Sequence, residues 1–323
     1  MQMNKNTAVG VVGATGYTGQ EVMTLLEGHP GARLEFATSR SQAGEPTGIE
    51  GLVYSDPDMD RARDCDVVFL CLPHGKAVPW VESLLGRGGE APRIIDLTAD
   101  HRPGSGRESA AVYGLNEWYR DSVADAPLVA NPGCYPTGML LSLMPLFREG
   151  LVDPARLTVV NAASGVTGAG RAPRPDLLFA EVAGNFRAYG GGNRHRHLRE
   201  VRSELGEVEI LFQPHLLPVS RGILETIVLP VPEGIDADRI RGLWATRYRD
   251  EPAITVRESG LPELRDAVGT DRISLGVEDA ADTRGPVCVL GVAFDNLGKG
   301  AAGQAVQNFN AIMKWPTELG IRC

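Results

Sequence analysis

The sequence predicts an α/β fold, with a Rossmann-like doubly wound parallel sheet followed by a second, α+β domain built on a mixed sheet. Three observations lead there. Over the first 132 residues, short β-rich apolar runs alternate with helical stretches, the pattern of parallel strands joined by crossovers. The first of those runs leads into glycines spaced three apart at the head of a helix. Beyond residue 132, long β-rich runs are less regularly interleaved with helices, which suits a mixed or antiparallel sheet.

Taken in order, the strands expected in the first part are Thr7–Val12, Arg33–Thr38, Asp66–Leu72, Arg93–Leu97 and Pro127–Asn131, with a helix at Tyr17–Glu27 as the clearest crossover. The second part opens with a helix at Gly138–Arg148. Strands are expected at Leu157–Ala162, Val208–Gln213, Gly222–Val231, Arg272–Val277 and Val287–Phe294, and helices at Arg194–Leu205 and Asp236–Tyr248. A last helix, Ala301–Met313, could pack on either domain. The stretch Gly86–Pro92 is glycine-rich but too short to separate domains, and no fixed-period repeat is present.

The 323 residues are enough for two domains with separate cores. Acidic residues number 41 against 32 basic ones, for a net charge of −9, which argues against nucleic acid or an anionic membrane as partner. An anionic ligand must then meet a local cluster of Arg, His and backbone N–H groups. No apolar run approaches the roughly 18 residues that cross a bilayer. The N-terminal MQMNKNTAVGVVGATG has no apolar signal core, so its first apolar run reads as a strand. Five cysteines, an odd number with no CxxC pair, fit a reduced cytoplasmic protein with neither a disulfide framework nor a metal site. Cys65, Cys71 and Cys288 border or lie in apolar runs and read as core residues.

In AVGVVGATGYTGQEVMTLL a strand, a glycine turn and a helix follow one another. Gly13, Gly16 and Gly19 give GxxGxxG, a relative of the dinucleotide fingerprint, and Gly13, Thr15, Gly16, Tyr17, Thr18 and Gly19 are the expected cofactor-binding turn. Glycines let the backbone approach a pyrophosphate at the helix N-terminus, although many such turns carry glycine for packing alone. NAD sites favour an acidic residue at the end of the second strand. Here LEFATSRSQAG supplies Ser39, Arg40 and Ser41, with no carboxylate before Glu45. Hydroxyls and a guanidinium suit a 2′-phosphate, so NADP(H) is the expected cofactor; otherwise Arg40 is a solvated loop residue.

NPGCYPTG, Asn131 to Gly138, ends a strand and turns into a helical run. Cys134 is therefore expected at or just before the first turn of a helix, where unpaired N–H groups and the helix dipole favour a thiolate. The same groups can stabilise an oxyanion formed on an acyl carbon. A lone cysteine is otherwise inert packing. A nucleophile needs an acid/base partner, and RHRH offers His195 and His197. Alternatively, these residues form an exposed basic helix N-terminus.

The ordered set GATGYTGQE, LPHG, DLTADHR, NPGCYPTG, SGVTGAGR, HRH, PHLLPVSRG and DNLGKGAAGQAVQNFN resembles the N-acetyl-γ-glutamyl-phosphate reductase family, within the wider aspartate-semialdehyde dehydrogenase-like group, over nearly the whole length. The resemblance implies an NADP-binding domain at 1–132, with 301–323 as a closing segment that returns to it, and a catalytic and oligomerisation domain at 133–300. It implies NADPH-dependent reduction of an acyl phosphate to a semialdehyde with release of inorganic phosphate, in arginine biosynthesis. Cys134 would form a thioester, and His195, slightly favoured over His197, would act as acid/base. Ser164, Gly165 and Asn296 resemble positions near the nicotinamide. Asn131, Arg102, Arg171, Tyr189 and Arg221 form the implied substrate set, with at least one of the three arginines expected to be bland. A homodimer or homotetramer is implied, with a small acyl phosphate as substrate and no nucleic acid or membrane partner. One departure is His101 in DLTADHR, where the family commonly has an aromatic residue. The alternatives are a related aminoadipyl- or aspartyl-phosphate reductase, or a non-catalytic NADP-binding redox sensor.

Overall fold

The computed structural model describes residues 6–86, 91–107 and 109–323. The expectations for the first five residues and for the glycine-rich centre at 87–90 lie outside the described residues. The chain divides into two compact units, Met1–Gly133 with Ala301–Arg322, and Cys134–Gly300 with Cys323.

The first unit contains β1 (Thr7–Val12), α1 (Tyr17–Gly28), β2 (Ala32–Thr38), β3 (Tyr54–Ser55), α2 (Met59–Arg63), β4 (Val67–Leu70), α3 (Val78–Gly86), β5 (Arg93–Asp96), β6 (Val112–Tyr113), α4 (Asn116–Asp125) and β7 (Leu128–Ala130). Its seven strands run in the order β3-β2-β1-β4-β5-β7-β6, all pairs parallel. Parallel strands covered on both faces need continuous apolar runs, and β1 and β4 are buried at every position. On one face Val9, Val11, Phe69 and Ile95 pack with Val22 and Leu26 of α1 and with Val306 and Phe309 near the C-terminus. On the other face Val12, Val68, Leu70 and Ile94 pack with Trp80, Val81 and Leu84 of α3. β1 lies between β2 and β4, so the strand order reverses there and the carboxyl ends of β1 and β4 flank the crevice where such sheets bind ligands.

The second unit contains α5 (Cys134–Arg148), β8 (Thr158–Ser164), α6 (Phe179–Val182), β9 (Arg187–Ala188), α7 (His197–Leu205), β10 (Ile210–Leu216), β11 (Ile223–Pro230), α8 (Ala237–Arg247), β12 (Ile254–Val256), β13 (Ile273–Asp279) and β14 (Val287–Phe294). The sheet order is β12-β13-β14-β11-β8-β10-β9. It is mixed: β12/β13 and β8/β10 are parallel and the other pairs antiparallel. Burial alternates along β11, as expected where one face is covered. The closing helix α9 (Gly303–Ile312) is part of the first unit.

α5 starts at Cys134, where the sequence places the first turn, four residues ahead of the helical run that opens at Gly138. Pro136 sits in the first turn, where a missing N–H has no intrahelical partner to lose. Pro145, deeper in α5, removes the N–H that would bond the Leu141 carbonyl. The Tyr248 hydroxyl donates to that carbonyl at 2.6 Å, and Trp244 Nε1 donates to Ser142 O at 3.0 Å. Tyr248, the residue that follows α8, thus takes the place of the missing donor, and Trp244 of α8 adds a bond beside it. The two- and three-residue strands β3, β6, β9 and β12 are too short to carry a legible alternation.

A Cβ added at Gly19 would lie 2.5 Å from the Gly13 carbonyl oxygen and 2.8 Å from Ala14 Cα. Both neighbours are backbone and cannot rotate away. Gly19→Ala is therefore expected to destabilise the protein by about 2 kcal/mol, read as a lower urea midpoint with an unchanged slope. An unaltered midpoint would show that the turn has room to yield.

Candidate active site

The turn after β1 separates its three glycines by function. Gly13 has φ +84°, and its Cβ would lie 2.5 Å from the Cys71 carbonyl oxygen. Gly19 is fixed by the clash just described. Gly16 has an ordinary φ of −68°, no side-chain cap, and only Gly13 O at 3.7 Å from its would-be Cβ. Protein packing demands glycine at 13 and 19 but not at 16, which leaves space at the N-terminus of a 12-residue helix whose first turn has no acidic residue. Such a terminus favours an anion. The Thr15 and Ser39 hydroxyls lie 3.2 Å apart, Ser39 Oγ is 3.4 Å from Ser41 Oγ and accepts from Gln42 N, and Arg40 is exposed. Tyr17 and Thr18 are half-buried at the start of α1. These groups fit a pyrophosphate and a phosphorylated ribose.

In the second unit Cys134 is half-buried and opens a 15-residue helix. The next residue, Tyr135, is buried, and its ring meets His195 edge-on at 5.5 Å, His197 at 5.9 Å and Phe212 at 5.2 Å. The two histidine rings are 4.7 Å apart. His195 therefore precedes α7 and His197 begins it, yet both contact one cluster. His195 Nδ1 accepts the His197 backbone N–H at 3.3 Å, which puts the ring proton on Nε2. Burial first, and Arg196 second, hold the His195 pKa down at about 4, so the ring is neutral at physiological pH. Tyr189 packs against His195 at 5.9 Å, and its hydroxyl lies 2.9 Å from that of Tyr135.

Three loops close around Asp295 and Asn296. Asp295 is fully buried and takes Arg221 Nε on both oxygens at 3.0 and 2.8 Å, with Gly269, Leu297 and Gly298 N–H groups at 2.9, 2.9 and 3.3 Å. Asn296 was expected beside a nicotinamide, but its amide is committed internally: Oδ1 accepts from Gly222 N and Nδ2 donates to Thr167 Oγ1. Gly165 is required because a Cβ there would lie 2.7 Å from Ser220 O. Gly300 has the same role beside the cysteine, with its would-be Cβ 3.1 Å from Cys134 Cβ. Ser164, at the end of β8, is buried.

The expected substrate residues divide. Arg221 sits among these loops, partly exposed and braced by Asp295. Arg171 is exposed. Arg102 is buried and donates to Asn131 O at 2.7 Å and Leu97 O at 2.9 Å; it braces the end of β7 within the first unit. Asn131 is also buried, bonding Ala301 O and Asn308. His101 replaces the expected aromatic residue with a buried pair to Asp96 at 2.7 Å.

Two family models match: one described as semialdehyde dehydrogenase, NAD binding domain, at residues 8–126, and one as semialdehyde dehydrogenase, dimerisation domain, at 134–296. A relative from Magnetococcus marinus named N-acetyl-gamma-glutamyl-phosphate reductase is 41% identical, over 97% of this chain and 96% of its own. One of the same name from Alkalilimnicola ehrlichii is 42% identical over 97% of each. The chain belongs to the N-acetyl-γ-glutamyl-phosphate reductase family. Its fold is shared with solved structures: aspartate semialdehyde dehydrogenase II from Vibrio cholerae has a TM-score of 0.75 at 19% identity over 96% of this chain and 99% of that one. The enzyme from Candida albicans, solved with NADP, scores 0.70 at 18% identity over 95% and 98%.

In this member of the reductase family, sequence reasoning missed Tyr135, Asp295 and Glu225. The first two lay inside quoted motifs but had no distinguishing chemistry of their own. Glu225 was hidden in ILETIVLP, where alternation alone places a carboxyl on the covered face. It is fully buried, packs against Gly138 and Phe294, and among the described residues neither carboxylate oxygen has a hydrogen-bond partner. Burial raises its pKa well above the ordinary 4.5. A raised carboxyl binds its proton in the folded state after the unfolded chain has released it. Stability is therefore lost as pH rises above about 4.5 towards the folded value. Glu225→Gln removes this loss, so its advantage over wild type in denaturant midpoint is expected to grow between pH 5 and pH 8. A difference that stays flat with pH would mean the carboxylate is ionised in place.

Proposed function

We propose that the chain reduces N-acetyl-γ-glutamyl phosphate to N-acetylglutamate semialdehyde, with NADPH and release of phosphate, through a thioester on Cys134, as a step in arginine biosynthesis. The observation that carries this reading is the half-buried Cys134 at the first residue of α5, beside a cluster holding a neutral His195.

The amide end of α5 favours negative charge on sulfur. The thiolate attacks the acyl carbon, forming the C–S bond; the C–O bond to phosphate breaks, and phosphate leaves with that electron pair. The cofactor, when bound, supplies hydride to the thioester carbon. The resulting oxyanion on the thiohemiacetal needs a hydrogen-bond donor, and His195 keeps its Nε2 proton for this because Nδ1 is already an acceptor. Breaking the C–S bond then returns the thiolate and releases the semialdehyde. Arg221, aimed by Asp295, is assigned to a substrate oxyanion. Gly13–Gly19 would hold the pyrophosphate, and Ser39, Arg40 and Ser41 the 2′-phosphate. The reading of the second unit as the oligomerisation domain is supported by the uncovered sheet face, where Val159, Leu211, Leu224 and Val228 are partly or largely exposed.

Cys134→Ser is expected to bind NADPH as wild type does while losing on the order of a thousandfold in kcat. Incubating wild type with acyl phosphate and no NADPH should place an acyl label on Cys134 by mass spectrometry; a label elsewhere would refute the thioester. Arg40→Ala is expected to raise the Kd for NADPH about tenfold and leave NADH binding nearly unchanged, by fluorescence titration of each. Equal weakening of both cofactors would remove the 2′-phosphate assignment.

A further inference from the structure

We propose that Tyr135 is a positioning residue whose hydroxyl ties the histidine loop to the helix carrying the nucleophile, keeping Cys134 and His195 in register. The proposal rests on the thioester reading above.

The loop from Tyr189 to His195 reads YGGGNRH. Gly190, Gly192 and Asn193 have positive φ of 53°, 69° and 61°, and three successive glycines give the backbone little preference for one path. Its ends are fastened to β10. Tyr189 N donates to Pro214 O at 3.0 Å, Asn193 Nδ2 donates to Ile210 O at 2.9 Å, and Phe212 N donates to Asn193 Oδ1 at 2.8 Å. These bonds set the loop against the sheet but not against α5. The 2.9 Å contact between the Tyr189 and Tyr135 hydroxyls makes that second connection.

Tyr135 directly follows Cys134 on a rigid helix, so whatever Tyr135 holds is held relative to the sulfur. Burial is the largest cause raising both phenols. Burial, reinforced by Tyr189, keeps the Tyr135 phenol protonated throughout the working pH range. It therefore serves as a neutral hydrogen-bonding group and exchanges no proton with substrate. Its ring, edge-on to both histidines and Phe212, fills space independently of the hydroxyl.

Phenylalanine separates these roles. Tyr135→Phe, Tyr189→Phe and the double variant are to be compared in phosphate- and NADP-dependent oxidation of the semialdehyde. Each single variant is expected to lower kcat about tenfold with KM within about twofold, and the double to be no worse than about tenfold, because both remove one bond. A tenfold coupling corresponds to about 1.4 kcal/mol. The second readout needs no substrate: NMR titration of ring-labelled histidine should show the His195 pKa rising from about 4 towards its ordinary 6.5 in each variant, as the loosened ring gains water. The charged and titratable groups around that ring, Arg196, His197, Tyr189, Tyr135 and Cys134, are otherwise retained. A roughly hundredfold loss in the double variant, wild-type kcat in the singles, or an unmoved His195 titration would overturn the proposal. If wild type itself fails to oxidise the semialdehyde, the thioester reading falls, and the His195 titration still decides whether the hydroxyl pair holds the loop.

Discussion

The catalytic arrangement depends on how closely α5 approaches the mixed sheet. Gly138, one helical turn beyond Cys134, has no side chain, and the space is filled by the Glu225 carboxyl and the Phe294 ring from β11 and β14. Any side chain at 138 would lift the helix N-terminus from the sheet and carry the sulfur with it. Gly300 makes the same close approach from the other side, against Cys134 Cβ. Cys134 is thus located by two absent side chains, and Tyr248 and Trp244 hold the far half of the helix by the Leu141 and Ser142 carbonyls. Close packing transmits such constraints because interiors have few voids in which a helix could shift.

Burial gives the five unbridged cysteines different chemistries. It pushes the Cys65 thiol up to about 11 and Cys288 to about 12, and raises Cys71 as well; thiols held that high are not nucleophiles near neutral pH. Cys134 alone among them combines partial exposure with the first position of a long helix. Burial likewise lowers the His195 pKa to about 4 and raises that of Glu225.

Strands were legible where burial imposes a simple pattern. β1 and β14 lie at the residues that their apolar runs mark, and β2, β5, β11 and α1 lie within one residue at each end. Elements fixed by tertiary contact were not. α7 starts at His197, three residues later than the helical pattern from Arg194 marks, where its first ring meets the cluster around Tyr135. Within the candidate site, residue type singled out Cys134 and the histidine pair because few chemistries use them together, and the fold gathers the two histidine rings around Tyr135, the residue after the cysteine. Arg102 and Asn296 show what a motif leaves out. It names the residue, and only the positions of Asn131 O, Leu97 O, Gly222 N and Thr167 Oγ1 reveal what each side chain bonds.

Asp295 shows why the second-layer residues escaped the sequence reading and why they matter. Its carboxylate gathers five hydrogen bonds from four partners: Arg221, Gly269, Leu297 and Gly298. A buried carboxylate is stable only with such compensation, so its charge and its donors require one another. Its own carbonyl accepts from Gly300 N at 2.9 Å, the residue that abuts Cys134. One side chain and its backbone therefore fix both the direction of Arg221 and the wall beside the sulfur. Asn296 then fastens the Gly222 and Thr167 loops to the same point. The direction of the Arg221 guanidinium gains precision from a partner that cannot move, and a fully buried, fully bonded aspartate is such a partner.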